Sequence, residues 1–282
     1  MADGLKVRFW GVRGSISCAG PEYIRYGGNT SCLEVTAAGR RMILDAGTGI
    51  RTLGVELARQ SPIDIDIYFT HTHFDHLSGL TFFKPLFDPR NSVRMWAGHL
   101  EAPYTLKQVV SNMMQAPIYP VSLDIFQATV SFAEFKAGAA LMCGDIAMRT
   151  APLNHPNGAT GYRIEHGGKS ICYITDTEHK EGERDPTIVE LCRNADLMIY
   201  DSSYTDAEYP RYRGWGHSTW QEGVRLADAA DVGTLALFHH DPSHDDAFMD
   251  GVAHEASVLR PGRAGNGLPR VLVAHEGLTL AP

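Results

Sequence analysis

Thr70-His71-Thr72-His73-Phe74-Asp75-His76 is the stretch that decides the fold of this protein. It follows a short apolar segment, residues 63–70, that predicts a strand. Because alternate side chains of an extended chain point to the same face, His71 and His73 are expected on one side. Asp75 and His76 then fall where the chain turns into a helix. Three imidazoles and a carboxylate at a strand end suit two neighbouring metal ions.

Further strands and helices are predicted on both sides of this stretch. Apolar patterns predict strands at 6–10, 31–36, 42–45, 63–70, 93–97, 129–135, 146–150, 160–165, 170–175, 196–200, 233–238 and 270–274. Helical patterns predict helices at 50–59, 77–84, 101–114, 186–193, 218–230 and 245–259. No linker or short repeat divides the chain. We therefore expect one α/β domain, residues 1–282, with two packed sheets and helices outside.

Charge and hydropathy exclude several function classes. The chain has 25 Lys and Arg against 33 Asp and Glu, a net charge of −8, which argues against an extended nucleic-acid surface. A small anionic substrate remains compatible with this charge, because a bound metal ion can dominate the local field. The longest apolar run, residues 139–143, is far too short for a membrane helix, and residues 1–15 have no apolar signal-peptide core. We therefore expect a cytoplasmic protein.

The cysteines predict free thiols rather than disulfides or a metal site. They are odd in number and widely scattered, and no CxxC pair occurs among Cys18, Cys32, Cys143, Cys172 and Cys192. Buried free thiols are the expectation for all five.

The motif His71-x-His73-x-Asp75-His76 resembles the signature of the metallo-β-lactamase superfamily, and the resemblance extends over nearly the whole chain. It implies a four-layer αββα sandwich. The acid upstream of the signature, which supports the metal loop, corresponds to Asp45. The remaining matches are His155 in Asn154-His155-Pro156, Asp176 in Ile174-Thr175-Asp176-Thr177, and His239 after the strand 233–238.

This resemblance implies two divalent metal ions. One takes three histidines (His71, His73 and His155), the other takes Asp75, His76 and His239, and Asp176 bridges them. A set of nitrogen and oxygen ligands suits zinc, which we expect, and also manganese or iron. The absence of cysteine separates the chain from the true β-lactamases that use one. His239 and His240 are adjacent. His239 directly follows the strand 233–238, which favours it as the ligand.

A second motif favours the phosphodiesterase branch of the superfamily. Gly216-His217-Ser218-Thr219 opens a predicted helix and looks like the HST segment of that branch, which includes the ribonuclease Z endonucleases. The resemblance implies that His217 assists the leaving alkoxide and is oriented by an acid. Asp201 follows the strand 196–200 at the position where the branch commonly has Glu. We expect Asp75, His217 and Asp201 to take part in the reaction.

The expected reaction is hydrolysis of a small phosphodiester, cyclic nucleotides above all, by a hydroxide that bridges the two metal ions. The chain has no Gly- and Lys-rich insertion like the protruding arm of the tRNA endonucleases. A tRNA 3′-processing endonuclease nevertheless remains an alternative, as does a lactonase or glyoxalase-type thioesterase, which would not need His217. Homodimerisation is a further expectation, since relatives are often dimers.

Three further groups of residues have more than one interpretation. Arg13 is interpreted either as a phosphate clamp or as half of a structural ion pair. An aromatic cluster near His217 suits either core packing or base stacking: Tyr204, Tyr209, Tyr212, Trp215 and Trp220. The remaining histidines are expected to be surface or structural residues: His99, His166, His179, His254 and His275.

Overall fold

The computed structural model describes residues 4–282. Its strands are β1 (Lys6–Gly11), β2 (Cys32–Ala37), β3 (Arg40–Leu44), β4 (Asp64–Phe69), β5 (Ser92–Ala97), β6 (Thr129–Glu134), β7 (Ala140–Cys143), β8 (Ile146–Leu153), β9 (Ala159–His166), β10 (Lys169–Ile174), β11 (Leu197–Asp201), β12 (Thr234–Phe238), β13 (Val271–Val273) and β14 (Thr279–Leu280). Its helices are α1 (Ile50–Leu57), α2 (Phe74–Leu77), α3 (Leu106–Met113), α4 (Pro186–Cys192), α5 (Trp220–Ala229) and α6 (Asp246–Leu259).

The strands form two seven-stranded sheets. The first has the order β14-β1-β2-β3-β4-β5-β6, and the second has the order β13-β12-β11-β10-β9-β8-β7. In each sheet one half is antiparallel and the other, β3 to β6 or β10 to β13, is parallel. Parallel strands end at the same edge of a sheet, and this is where ligands bind in α/β proteins.

Three apolar cores separate four layers. Phe9 of the first sheet and Tyr173 and Phe238 of the second pack in the core between the sheets. A second core joins the first sheet to α1 and α3, and a third joins the second sheet to α4, α5 and α6. Each sheet is therefore buried on both faces, which explains why strands such as β11 and β12 are apolar throughout. The predicted αββα sandwich is confirmed.

The α-helix predicted at 77–84 is wrong. The chain forms the single turn of α2 and then two 3₁₀ segments, Ser78–Phe82 and Lys84–Phe87. Pro85 lacks the N–H group that a continuing α-helix would need.

The helix predicted at 101–114 begins later than expected, and two strands were missed. Thr105 caps α3 in a capping box with Gln108, so residues 101–104, which include Pro103, stay outside it. The missed strands are β7, which lies at a sheet edge, and β14, which has only two residues. Residues 116–126 form a connection whose one regular segment is the 3₁₀ turn Leu123–Ile125.

The five cysteines form no disulfide, and all except the half-buried Cys18 are buried. Among residues 4–282, no helix combines the length and the apolar character that crossing a bilayer requires.

Candidate metal centre

The histidine motif has the geometry that its spacing predicts. Residues 70–73 continue from β4 without helical structure, and His73 is still extended at φ −65° and ψ 156° where α2 begins. The imidazole rings of His71 and His73 therefore lie on one side of the chain, with centroids 4.4 Å apart. The turn of α2 then directs Asp75 and His76 to the same place.

The structure brings all seven predicted ligands together. His155 follows β8, Asp176 follows β10 and His239 follows β12, so three strands of the second sheet deliver side chains to the loop after β4. Asp176 and His239 both have a φ near +60°, an uncommon conformation for residues other than glycine. Left-handed residues directly after a strand turn the chain sharply and point their side chains across the sheet edge.

Asp176 stands between two groups of ligands. Its Oδ1 atom lies 3.6 Å from His71 Nε2 and 3.7 Å from His155 Nε2. Its Oδ2 atom lies 3.2 Å from His76 Nε2 and 3.3 Å from His239 Nε2. Each oxygen of one carboxylate thus faces a different set of histidines, which is the arrangement of a carboxylate that bridges two cations.

One unsatisfied nitrogen atom and a set of crowded ligand atoms show that this cluster fits metal ions. His71 Nε2 is buried and has no hydrogen-bond partner among residues 4–282. His76 Nε2 and His239 Nε2 lie only 3.2 Å apart, and Asp75 Oδ2 lies 3.3 Å from the first and 3.4 Å from the second. Burial lowers the pKa of His71, which favours the neutral imidazole that can bind a cation. This set of nitrogen and oxygen donors suits divalent cations.

Neighbouring polar groups fix the ligands in the required orientation. Asp45 Oδ2 accepts a hydrogen bond from His76 Nδ1 at 2.9 Å, and Asp45 Oδ1 accepts one from the Thr70 amide at 2.7 Å. His155 Nδ1 donates to the carbonyl of Gly216 at 2.7 Å. When Nδ1 donates in this way, the lone pair of Nε2 points into the cluster. Asp45 therefore lies where a residue that supports the metal loop is needed.

His240 does not point into the cluster. Its Nε2 atom donates to the carbonyl of Ala274 at 2.9 Å, and burial lowers its pKa to about 3. The structure thus places His239, the residue favoured by the sequence, among the ligand candidates.

His217 and Asp201 form a pair beside the cluster. Asp201 ends β11 and is fully buried, and its Oδ2 atom lies 3.0 Å from His217 Nδ1. The His217 ring stacks on the His239 ring with a centroid distance of 4.9 Å. Burial alone would lower the pKa of His217, but Asp201 outweighs it and raises the pKa to about 9. Although Asp is one methylene shorter than the Glu common in this position, it reaches the imidazole.

The phosphate-clamp interpretation of Arg13 is wrong. The side chain has no exposed surface, and it donates from Nε to the carbonyl of Gly27 at 2.8 Å and from Nη1 to that of His244 at 2.6 Å. Its hydrogen-bond partners are backbone carbonyls rather than an acid, so the ion-pair interpretation of Arg13 is wrong as well. Arg13 holds the loop before β2 against the segment after β12.

Most of the aromatic cluster packs inside the protein. Tyr204, Tyr209 and Trp220 are buried, and Tyr212 stacks on Tyr204 with a centroid distance of 4.2 Å. Trp215 is the exception, because it is 63% exposed.

Sequence reasoning missed two residues that support this site. Glu178 accepts hydrogen bonds from the amides of Gly214 and Gly216 and so anchors the loop that carries Trp215. Ser203 Oγ lies 3.1 Å from His239 Nδ1. Their positions, two residues after Asp176 and two after Asp201, were the signal that could have revealed them. The five histidines expected to be surface or structural lie outside the ligand cluster, although His99 Nε2 bonds Thr72 Oγ1 at 3.1 Å.

The chain is similar in sequence and in fold to several known proteins. The sequence of residues 40–240 matches the family described as the beta-lactamase superfamily domain. Ribonuclease Z of Gemmatimonas aurantiaca is 24% identical over 88% of this chain and 88% of its own length. The metallo-beta-lactamase fold protein YhfI from Bacillus subtilis is 18% identical, with a TM-score of 0.73 over 99% of both chains. A diphosphatase from the PhnP family is 19% identical, with a TM-score of 0.70 over 98% of this chain and 97% of its own.

The predicted resemblance to ribonuclease Z is confirmed by the first of these relatives, and the fold by the two structures. The family match covers well over half of the chain and includes all seven histidines and acids of the cluster, with His239 near its end. The chain therefore belongs to the metallo-β-lactamase superfamily, as a metal-binding hydrolase.

Proposed function

We propose that this protein is a phosphodiesterase that uses two divalent metal ions and acts on small phosphodiesters such as cyclic nucleotides. Zinc is the metal we expect, with manganese or iron as alternatives. When bound by the seven ligands, such ions supply Lewis-acid activation of water and neutralise charge on phosphate oxygens. Residues of the chain supply the proton that the leaving group needs.

The pair of His217 and Asp201 is the observation that carries this proposal. A phosphodiester releases an alkoxide, which needs a proton as it departs. His217 lies next to His239 and is only 12% exposed, and Asp201 raises its pKa, which favours the protonated form. Its Nε2 atom bonds no other residue in the described part of the chain and is free to meet a leaving oxygen.

The orientation of His217 suits proton donation rather than metal binding. Asp201 also accepts hydrogen bonds from the Ser203 amide at 3.1 Å and the Thr177 amide at 3.2 Å, so its carboxylate is fixed from several sides. A carboxylate held this firmly fixes the Nδ1 proton of His217 and thereby directs Nε2 outward. Hydrolysis of a thioester would make less use of this pair, because a thiolate leaves more readily than an alkoxide and needs less help from a proton donor.

The names of two similar proteins support phosphate chemistry, one a ribonuclease and the other a diphosphatase. The net charge of −8 favours a small substrate over a long nucleic acid. Processing of tRNA 3′ ends is a second candidate function, because the ribonuclease Z relative matches over 88% of both chains.

A substrate panel tests the proposal. Protein loaded with zinc or manganese would be assayed with 2′,3′-cyclic and 3′,5′-cyclic nucleotides, bis(p-nitrophenyl) phosphate, a precursor tRNA, a thioester and a lactone, with metal content measured on the same sample. We expect the highest kcat/KM with a small phosphodiester. A clear preference for the thioester or lactone would refute the phosphodiesterase proposal, and a preference for the precursor tRNA would favour the second candidate.

A further inference from the structure

An apolar pocket opens directly beside the metal-ligand cluster. It has a volume of about 360 Å³, and Asp75, one of the ligand candidates, forms part of its wall. The same carboxylate accepts a hydrogen bond from the Ser15 amide at 2.8 Å, which joins the wall of the pocket to the loop after β1. Pockets of this size bind small molecules.

Three large apolar side chains surround this pocket and are exposed to water. Ile16 is 63% exposed, Phe74 is 69% exposed and Phe82 is 59% exposed. Phe74 directly precedes Asp75, and Phe82 lies two turns further along the chain. Single exposed apolar residues are ordinary, but a group of them around a pocket marks a binding surface.

The floor of the pocket is rigid. Gly79 packs so closely on the backbone of Gly47 that a Cβ atom on Gly79 would overlap the Gly47 carbonyl oxygen. On the neighbouring wall, the amide of Thr30 donates to Thr48 Oγ1 at 2.9 Å and the amide of Thr48 donates to Thr30 Oγ1 at 2.8 Å. The pocket is therefore formed before any ligand arrives, which reduces the entropy cost of binding.

Arg51 adds a positive charge to the rim. It lies in the first turn of α1, is exposed, and forms no ion pair with any residue between 4 and 282. A guanidinium group next to exposed rings matches a ligand that carries both a phosphate and an aromatic group.

We propose that this pocket is a subsite for a nucleobase or other aromatic group that stays attached to the phosphate when the substrate is cleaved. The proposal rests on the phosphodiesterase function proposed above. We expect Phe74 and Phe82 to contact the flat group and the positive charge of Arg51 to attract the anionic substrate. These are specificity-determining residues rather than catalytic ones.

The position of His217 decides which part of the substrate enters the pocket. The proton donor has to stand beside the leaving oxygen. His217 does not line the pocket, whereas Asp75 does. The leaving group therefore belongs near His217, and the pocket remains for the group that is retained.

Two phosphodiesters with the same leaving group test this assignment. Bis(p-nitrophenyl) phosphate and methyl p-nitrophenyl phosphate both release p-nitrophenolate, but they retain an aryl group and a methyl group, respectively. In Phe74→Ala and Phe82→Ala, we expect the ratio of kcat/KM for the aryl over the methyl diester to fall by roughly 10-fold. Tyr104→Ala is the matched control, because Tyr104 is an aromatic residue with 66% exposure outside the pocket.

Binding of two monophosphates separates the subsite from the phosphodiesterase activity. We expect adenosine 5′-monophosphate to bind the wild type roughly 10-fold more tightly than ribose 5-phosphate in calorimetry, and the two alanine variants to lose this preference. If that result holds but no phosphodiester is cleaved, the subsite stands and the proposed function fails. If phosphodiesters are cleaved and both preferences are unchanged in the variants, the subsite is refuted. A change of oligomeric state in sedimentation, with unchanged preferences, would instead identify the surface as a contact between copies of the chain.

Discussion

His217 Nδ1 lies 3.0 Å from Asp201 Oδ2, and the Asp201 carboxylate is fully buried at the end of β11. An ion pair of this kind is stronger than one at the surface, because water does not screen it. Asp201 raises the pKa of His217 and so favours a protonated imidazole next to the cluster of metal-ligand candidates. The protein thus uses a buried acid to keep a proton close to the metal centre.

His217→Ala should impair substrates according to their leaving group. Loss of one general acid costs about 10²- to 10⁴-fold in rate when the leaving oxygen is a poor one. A p-nitrophenolate leaves without help, so its release should fall much less. Kinetics with an alkyl and a nitrophenyl phosphodiester, together with metal analysis, measure this difference. Equal losses on both substrates, or loss of metal, would show that His217 positions or binds metal instead.

Asp201→Asn should resemble His217→Ala, because the two side chains act as a unit. The amide can still accept the hydrogen bond from His217, but it cannot stabilise the charge on the imidazole. We expect a loss of about 10- to 100-fold with the alkyl diester. The double variant should be no slower than His217→Ala alone. A double variant whose losses multiply would indicate that the residues act independently.

The ligand positions could be predicted from the sequence because each follows a strand. An apolar strand such as β12 is easy to recognise, and the residue after it, His239, necessarily lies at the sheet edge. The pairing of the two sheets across this edge could not be predicted from local pattern, since it depends on long-range packing. Family resemblance supplied that information for His155, Asp176 and His239.

Features that depend on side-chain direction were less predictable. Arg13 lies in a Gly-rich loop, and only the fold shows that its guanidinium group points inward to backbone carbonyls. The exposed residues around the pocket could not be predicted from the sequence for a similar reason. Phe82 lies within the predicted helix 77–84, but the chain forms the 3₁₀ segment Ser78–Phe82 there, and the rings of Phe74 and Phe82 are both exposed. A sequence pattern shows that a residue is apolar. It does not show whether the core has room for that side chain.

Asp176→Ala should reduce metal binding and activity together. With the bridging carboxylate removed, two cations in the cluster would repel each other at short range without a shared anion. We expect fewer than two metal ions per chain in elemental analysis and a loss of turnover in the same sample. Asp145→Ala is a suitable control, because Asp145 is an exposed acid in the turn between β7 and β8. Two bound metal ions with full activity in Asp176→Ala would contradict the assignment of Asp176 as a bridge.

Asp66 of β4 should contribute to the acid stability of the fold. Burial alone would raise the pKa of Asp66, but hydrogen bonds from Arg94 and Trp96 outweigh it and hold the pKa below its ordinary value. A carboxylate whose pKa is lower in the folded state stabilises the protein above its unfolded pKa of about 3.9. This contribution is lost as the pH falls from there through the folded pKa.

Asp66→Asn therefore should lower the free energy of unfolding at pH 7 and make it less dependent on pH below about 4. We expect a loss of roughly 1–2 kcal/mol at pH 7, after discounting for the partial exposure of Arg94. Urea unfolding at pH 7 and near pH 3 would measure both effects. Asp64→Asn is the control, because Asp64 also pairs with Arg94 but is mostly exposed, so its loss should be small. Equal losses in the two variants, or an unchanged pH dependence in Asp66→Asn, would show that the buried pair does not govern acid stability.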